Sequence, residues 1–161
     1  VFDTSIFRYK LTSPSALRMA ADLLDIGIDH SAIVEELLLV QPLERVKLRA
    51  KVLSALEHRF HNRACIAMLT YEETHEVDSG GLVDDLIFIQ DTLVAALITE
   101  LKDGRTRISL RSRCEIDVAD VARSLNSTGG GHKRSAGVTV DLSLEDAAHE
   151  LNALLAKLFK D

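Results

Sequence analysis

The stretch TLVAALITELKDGRTRISLRSR, residues 92–113, constrains the fold more than any other part of the chain. A ten-residue apolar run ends at Lys102. Asp103-Gly104 is a pair favoured in two-residue β-turns, because both central positions tolerate a left-handed backbone. The run after the turn, TRISLRSR, alternates polar and apolar residues. An apolar run, a tight turn and an alternating run together predict an antiparallel hairpin over residues 93–113. The alternation directs Ile108 and Leu110 to one side and Arg107, Ser109, Arg111 and Arg113 to the other.

Around this hairpin the remaining periodicities supply both strands and helices. ACIAMLT (residues 64–70) has strand length, and GVTVDL (137–142) alternates like a strand. Ser13-Pro14 opens a helix that Gly27 ends, and a second helix is expected over residues 31–39. A third runs from Pro42 to about His61. Asp117 caps a helix carrying Val118, Val121 and Leu125, and Ser143 caps a last helix with Leu144, Leu151 and Leu155 on one face. The expected class is α/β, a mixed β-sheet packed with helices and preceded by a helical linker region. The division falls at 1–62 and 63–161.

Composition narrows the partners. A formal charge of −6 over 161 residues argues against a general nucleic-acid coat or an anionic membrane surface. No segment approaches the roughly 18 apolar residues of a membrane span. Two cysteines without CxxC spacing fit a reducing, cytoplasmic setting and not a structural zinc site. The charge is uneven, however: from Lys102 to Arg134 eight basic residues face four acids.

That basic segment contains STGGGHKRSAG, residues 127–137, which holds four of the eight glycines. Consecutive glycines let backbone N–H groups turn toward an anion without Cβ obstruction, and His132 can add a titrating donor. A glycine-rich surface turn is the ordinary alternative; the Arg-bearing strand upstream tips the balance toward a phosphate site. His58 and His61, spaced i, i+3 with Cys65 nearby, weigh more as a polar helix end than as a metal site.

Taken in order, RISLRSRCEIDVADVARSLNSTGGGHKRSAGVTV resembles the C-terminal DHH-associated domain of DHH phosphoesterases. GGLVDDLIFIQDTLVAALI and FDTSIFRY are similar to segments of the nanoRNase and pAp phosphatase branch. The resemblance implies a two-domain hydrolase. Its N-terminal DHH domain holds divalent metal, manganese as a rule, and its C-terminal domain holds the substrate phosphate. Carried over by residue, Asp3 matches a metal-binding aspartate, Arg111 the arginine of the SLRS strand, and Gly129, Gly130, Gly131 and His132 the phosphate-binding run.

Ser5 and the Asn126-Ser127-Thr128 lead-in depart from that pattern without removing a ligand. Asp29-His30-Ser31 is not the DHH motif and is expected to cap a helix. With the other metal ligands absent and no initiator Met, the chain is expected to be a fragment, inactive by itself, partnered by the N-terminal DHH domain of the same protein and compatible with a homodimer. Expected substrates are short oligoribonucleotides or nucleoside bisphosphates such as pAp. RecJ-like exonucleases, exopolyphosphatases and the tRNA-binding module of alanyl-tRNA synthetases stand as alternatives.

Overall fold

The structure is a computed structural model that describes Phe7 and residues 12–159. Asp3, the expected metal ligand, lies outside the described residues. The chain divides into two compact units, Val1–Pro42 and Leu43–Asp161.

The first unit is helical. Helix α1, Pro14–Asp25, starts where the Ser13 hydroxyl accepts the Ala16 N–H at 3.1 Å. Helix α2, His30–Val34, is capped by Asp29, whose Oδ1 accepts the Ala32 N–H at 2.9 Å. So Asp29-His30-Ser31 does begin a helix. The expected single helix over 31–39 instead changes to a wider π-type turn at Glu35–Leu39.

The second unit is built on six strands in the order β1-β2-β3-β4-β6-β5. The strands are β1 (Glu57–Arg59), β2 (Ala64–Leu69), β3 (Val94–Glu100), β4 (Thr106–Ser112), β5 (Gly130–His132) and β6 (Ser135–Val140). Among the described strands, β2 and β3 pair in parallel and the other neighbours pair antiparallel. The expected hairpin is β3–β4. Helix α3, Leu43–Ala55, belongs to this unit, and Leu48 and Val52 are buried in its core.

Two expectations fail locally. The third helix does not reach His61; it stops at Ala55, and residues 57–59 form an edge strand. Phe60, His61 and Asn62 all take positive φ, which turns the chain back so that β1 pairs with β2, and Phe60 stacks on Phe159 at 5.4 Å. His58 therefore sits in a strand opposite Cys65 and does not share a helix face with His61. Likewise the glycine run is not a free loop. Gly130–His132 pairs antiparallel with β6, with Lys133 and Arg134 at the turn.

The sheet's two faces differ. On one, Val94, Ala96, Ile98, Ile108, Leu110, Ala136, Val138 and Val140 pack under α6 (Val118–Leu125) and α7 (Leu144–Leu158). Each fully buried aliphatic side chain there contributes about 1.5–3 kcal/mol of apolar burial. On the other, Cys65, Ala67, Leu69, Ala95 and Leu97 pack with α3 and with α5, Val83–Ile87. This cover is closed over β2 and β3 and thins at β4, where α5 reaches Arg111 through Asp84. Strands buried on both faces read as continuous apolar runs, and strands open on one face alternate; ACIAML against TRISLRS shows that contrast. The short helix α4, Tyr71–Thr74, was not expected. Its signal was available as Thr70-x-x-Glu73, a capping box in which Glu73 accepts the Thr70 N–H at 2.8 Å. No described helix is long and apolar enough to cross a membrane.

Candidate phosphate-binding face

Where the helical cover ends, the register of the strands arranges the site. Residues directly opposite in adjacent strands share a face. One row across the sheet reads Ala95, Arg111, Ser135, His132; the next reads Leu97, Ser109, Gly137, Gly130; a third begins Thr99, Arg107, Thr139. In the middle row the side chains shrink from leucine to serine to none, leaving main chain as the floor. The result is a hollow of about 320 Å³. Arg107, Ser109, Arg111, Gly130, Ser135 and Gly137 line its floor and sides, and Ser79, Gly80 and Gly81 form the opposite wall.

Arg111 is held on two sides. Its Nε donates to Asp84 Oδ1 at 2.6 Å, and Nη1 donates to the Leu110 carbonyl at 3.0 Å. Both ionic partners retain solvent contact, 24% for Arg111 and 44% for Asp84, so the pair orients the guanidinium more than it stabilises the fold. The wall is fixed from α3: Arg45 donates through Nη2 to the Gly80 carbonyl at 2.6 Å and through Nη1 to the Asp78 carbonyl. Arg49 pairs with Asp85 at 2.7 Å, tying α3 to α5.

The three glycines have separate surroundings. A Cβ on Gly129 would lie 2.5 Å from the Ala122 carbonyl oxygen, and its N–H already donates to the Asn126 carbonyl at 2.8 Å. A Cβ on Gly131, where φ is +141°, would lie 2.4 Å from the Ser135 carbonyl oxygen. One on Gly130 would meet nothing within 4 Å. Gly129 and Gly131 thus permit close packing, while Gly130 faces open space. As β5 is an edge strand, part of its main-chain hydrogen-bonding capacity has no strand partner.

Of the residues singled out by sequence, the hollow gathers Arg111, Gly130 and Gly131. Gly129 lies outside its lining. His132 shares the cross-strand row of Arg111 but is exposed at the sheet edge. Arg113 leaves the row: β4 ends at Ser112, and Arg113 Nε donates to the Thr92 carbonyl at 3.1 Å. Thr128 does not enter the hollow; its hydroxyl donates to Asn126 Oδ1 at 3.1 Å. Ser135, Gly137 and the wall at Ser79–Gly81 were missed, although the Gly80-Gly81 pair marks a loop in the sequence.

A guanidinium fixed beside a side-chain-free floor, with serine hydroxyls on either side, can hold an oxyanion. Among the described residues no group of three or more His, Cys, Asp or Glu could hold a metal. Cys65 is no nucleophile, since burial pushes its thiol pKa up to about 11. A larger hollow of about 420 Å³ lies against β1, β2 and α7, but its charges are mixed, with Glu57 and Glu145 beside Arg59.

These features define a mixed-sheet α/β domain with a basic, glycine-floored hollow on its half-covered face. The chain belongs to the DHHA1 domain family, which matches residues 61–161. It is 30% identical over 148 residues to the bifunctional oligoribonuclease and PAP phosphatase NrnA of Thermus thermophilus, covering 92% of this chain and 44% of that protein. An exopolyphosphatase-related protein of Bacteroides fragilis shares the fold with a TM-score of 0.88 at 23% identity, covering 99% of this chain and 49% of that one. The pGpG-specific phosphodiesterase PggH of Vibrio cholerae superposes with a TM-score of 0.52 at 16% identity, covering 94% and 53%. The chain thus spans less than half the length of its NrnA relative.

Proposed function

We propose that this chain is the substrate-holding part of a metal-dependent DHH phosphoesterase acting on short oligoribonucleotides or pAp-like nucleotides. The observation that carries the reading is the placement of Arg111, braced by Asp84, beside the bare main chain of Gly130 and Gly137. The relationship to NrnA supplies the substrate class.

In this reading the phosphoryl group lies in the hollow. Arg111 and Ser135 fix its oxygens, Gly130 lets it approach the main chain, and His132 adds a donor from the sheet edge. Divalent metal, manganese in the first instance, would activate water from a second domain. The described residues would contribute binding and orientation, and Asp3 would supply this chain's one ligand to the metal. The setting is cytoplasmic, and the chain by itself is inactive.

The test is an assay of the full-length protein with manganese and a diribonucleotide. Arg111→Ala should lower kcat/KM at least tenfold with metal content unchanged. The 161-residue chain alone should show no turnover. Turnover by the isolated chain, or loss of metal in the Arg111 variant, would overturn the assignment.

A further inference from the structure

Asp84 and Asp85 are neighbours in the first turn of α5, and their carboxylates serve different partners. Asp85 pairs with Arg49 of α3 at 2.7 Å. Asp84 turns to the sheet and accepts the Arg111 Nε–H at 2.6 Å, 27 residues along the chain. The helix that carries both is firmly seated. Val83, Leu86 and Ile87 are buried in the core, and the Asp84 N–H donates to the Gly81 carbonyl at 2.9 Å. Opposite Arg111 in β3 stands Ala95, fully buried in the same cluster as α5, and its small side chain lets the helix come close.

A guanidinium carries its donors on a rigid planar fork, so fixing one edge fixes the others. It can meet an oxyanion along the Nε edge or through its two terminal nitrogens. Arg111 spends its Nε–H on Asp84 and one Nη1–H on the Leu110 carbonyl. The second Nη1–H and both Nη2 hydrogens have no partner among the described residues, and all three lie on the terminal nitrogens. Asp84 itself does not line the hollow, whereas Arg111 does. The carboxylate therefore holds the arginine from behind and touches no ligand there.

We propose that Asp84 is a positioning residue for the phosphoryl group. It acts through Arg111 alone: it closes the Nε edge and makes the arginine meet the phosphate with its terminal nitrogens. The pair commits the arginine to one rotamer before the substrate arrives, so that ordering is not charged against binding or the transition state. Of the two adjacent carboxylates, Asp85 secures the helix and Asp84 secures the arginine. This inference rests on the proposed function above and adds the residue that sets how Arg111 presents its donors.

A double-mutant cycle in the full-length protein, assayed with manganese and a diribonucleotide, tests it. Asp84→Ala should lower kcat/KM about fivefold with metal content and Tm unchanged, and should lower it no further once Arg111 is replaced by alanine. Asp84→Asn keeps an acceptor for Nε–H and should lose less. Asp85→Asn removes the same charge one residue away and should stay within about twofold of the parent. Where Asp84→Ala fails to fold, Asp84→Asn completes the cycle under the same criterion.

An equal fold-loss from Asp84→Ala in both Arg111 backgrounds overturns the inference and leaves the phosphate assignment standing, since a role in folding alone acts whether or not the arginine is present. An equal loss from Asp85→Asn, or loss of metal from the Asp84 variants, overturns it too. So does an unchanged or raised kcat/KM in Asp84→Ala, the latter meaning that the carboxylate competes with phosphate for Arg111. If Arg111→Ala itself leaves kcat/KM unchanged, the proposed function fails and this inference with it.

Discussion

Leu97 and Ser109 are direct partners across β3 and β4, on the same face of the same sheet, yet they live in different environments. Leu97 is 2% exposed beneath α3 and α5, and Ser109 lines an open hollow. The boundary between them is the edge of the helical cover. On the β2–β3 side, apolar side chains meet helices and the face is used for stability. On the β4–β6–β5 side, arginine, serine and glycine take the same inward positions and the face is left for a ligand. A functional site here costs the fold little, because it occupies the part of the sheet where only the edge of α5 reaches, while the opposite face under α6 and α7 holds the strands together.

That contrast can be broken deliberately. Leu97→Ala should destabilise the chain by about 2–5 kcal/mol in urea unfolding, the range for large-to-small core changes. Ser109→Ala, its direct partner, should stay within about 0.5 kcal/mol, as surface changes do. Equal effects would mean that the open half is also part of the core.

The glycines sharpen the comparison at smaller scale. Gly131→Ala should cost about 1–3 kcal/mol from its left-handed backbone, with further loss from overlap with the Ser135 carbonyl. Gly130→Ala should change stability by less than about 1 kcal/mol, since its Cβ meets nothing in the fold. That same Cβ enters the hollow, so phosphate affinity measured by NMR should fall in a variant that unfolds normally.

Reactivity separates the halves as well. Cys65 lies in the covered half with its thiol pKa raised to about 11 by burial. A thiol reagent at pH 8 should therefore modify it only as fast as the chain unfolds. Modification of the folded chain at the rate of a free thiol would show that the cover opens.

The smallest effect is expected outside both halves. Lys133, at the β5–β6 turn, hydrogen-bonds Glu115 Oε2 at 2.6 Å and holds that carboxyl below its usual pKa. A depressed carboxyl pKa gives stability that is present above the unfolded value and lost as pH falls through the folded one. This pair is fully solvated, so Lys133→Ala should move the Glu115 titration midpoint upward by NMR without a measurable change in Tm.

Much of this organisation was legible in the sequence. Asp103-Gly104 located the hairpin, and Asp117 and Ser143 located α6 and α7. The basic segment and its glycines marked the ligand side, and the order of motifs marked the family. What escaped was non-local. The end of α3 could not be read from its apolar pattern because EHR is chosen as strand by pairing with β2 and by three left-handed residues that follow. The glycine run resembled a free loop because its strand character comes from its partner, β6, and not from its own propensity.

By itself the sequence determined which strands are buried on both faces and which on one, because continuous apolar runs and alternating runs are properties of the local chain. It also determined that cationic and glycine residues would sit together near Arg111. Only the tertiary structure decided their neighbours. Register places Gly130 beside Gly137 and Ser109, and places His132 in the row of Arg111. The Ser79–Gly81 wall, anchored by Arg45 from a distant helix, encloses them. Alternation specifies the face a side chain takes, but the row it joins depends on where a second strand, far along the chain, is aligned against it.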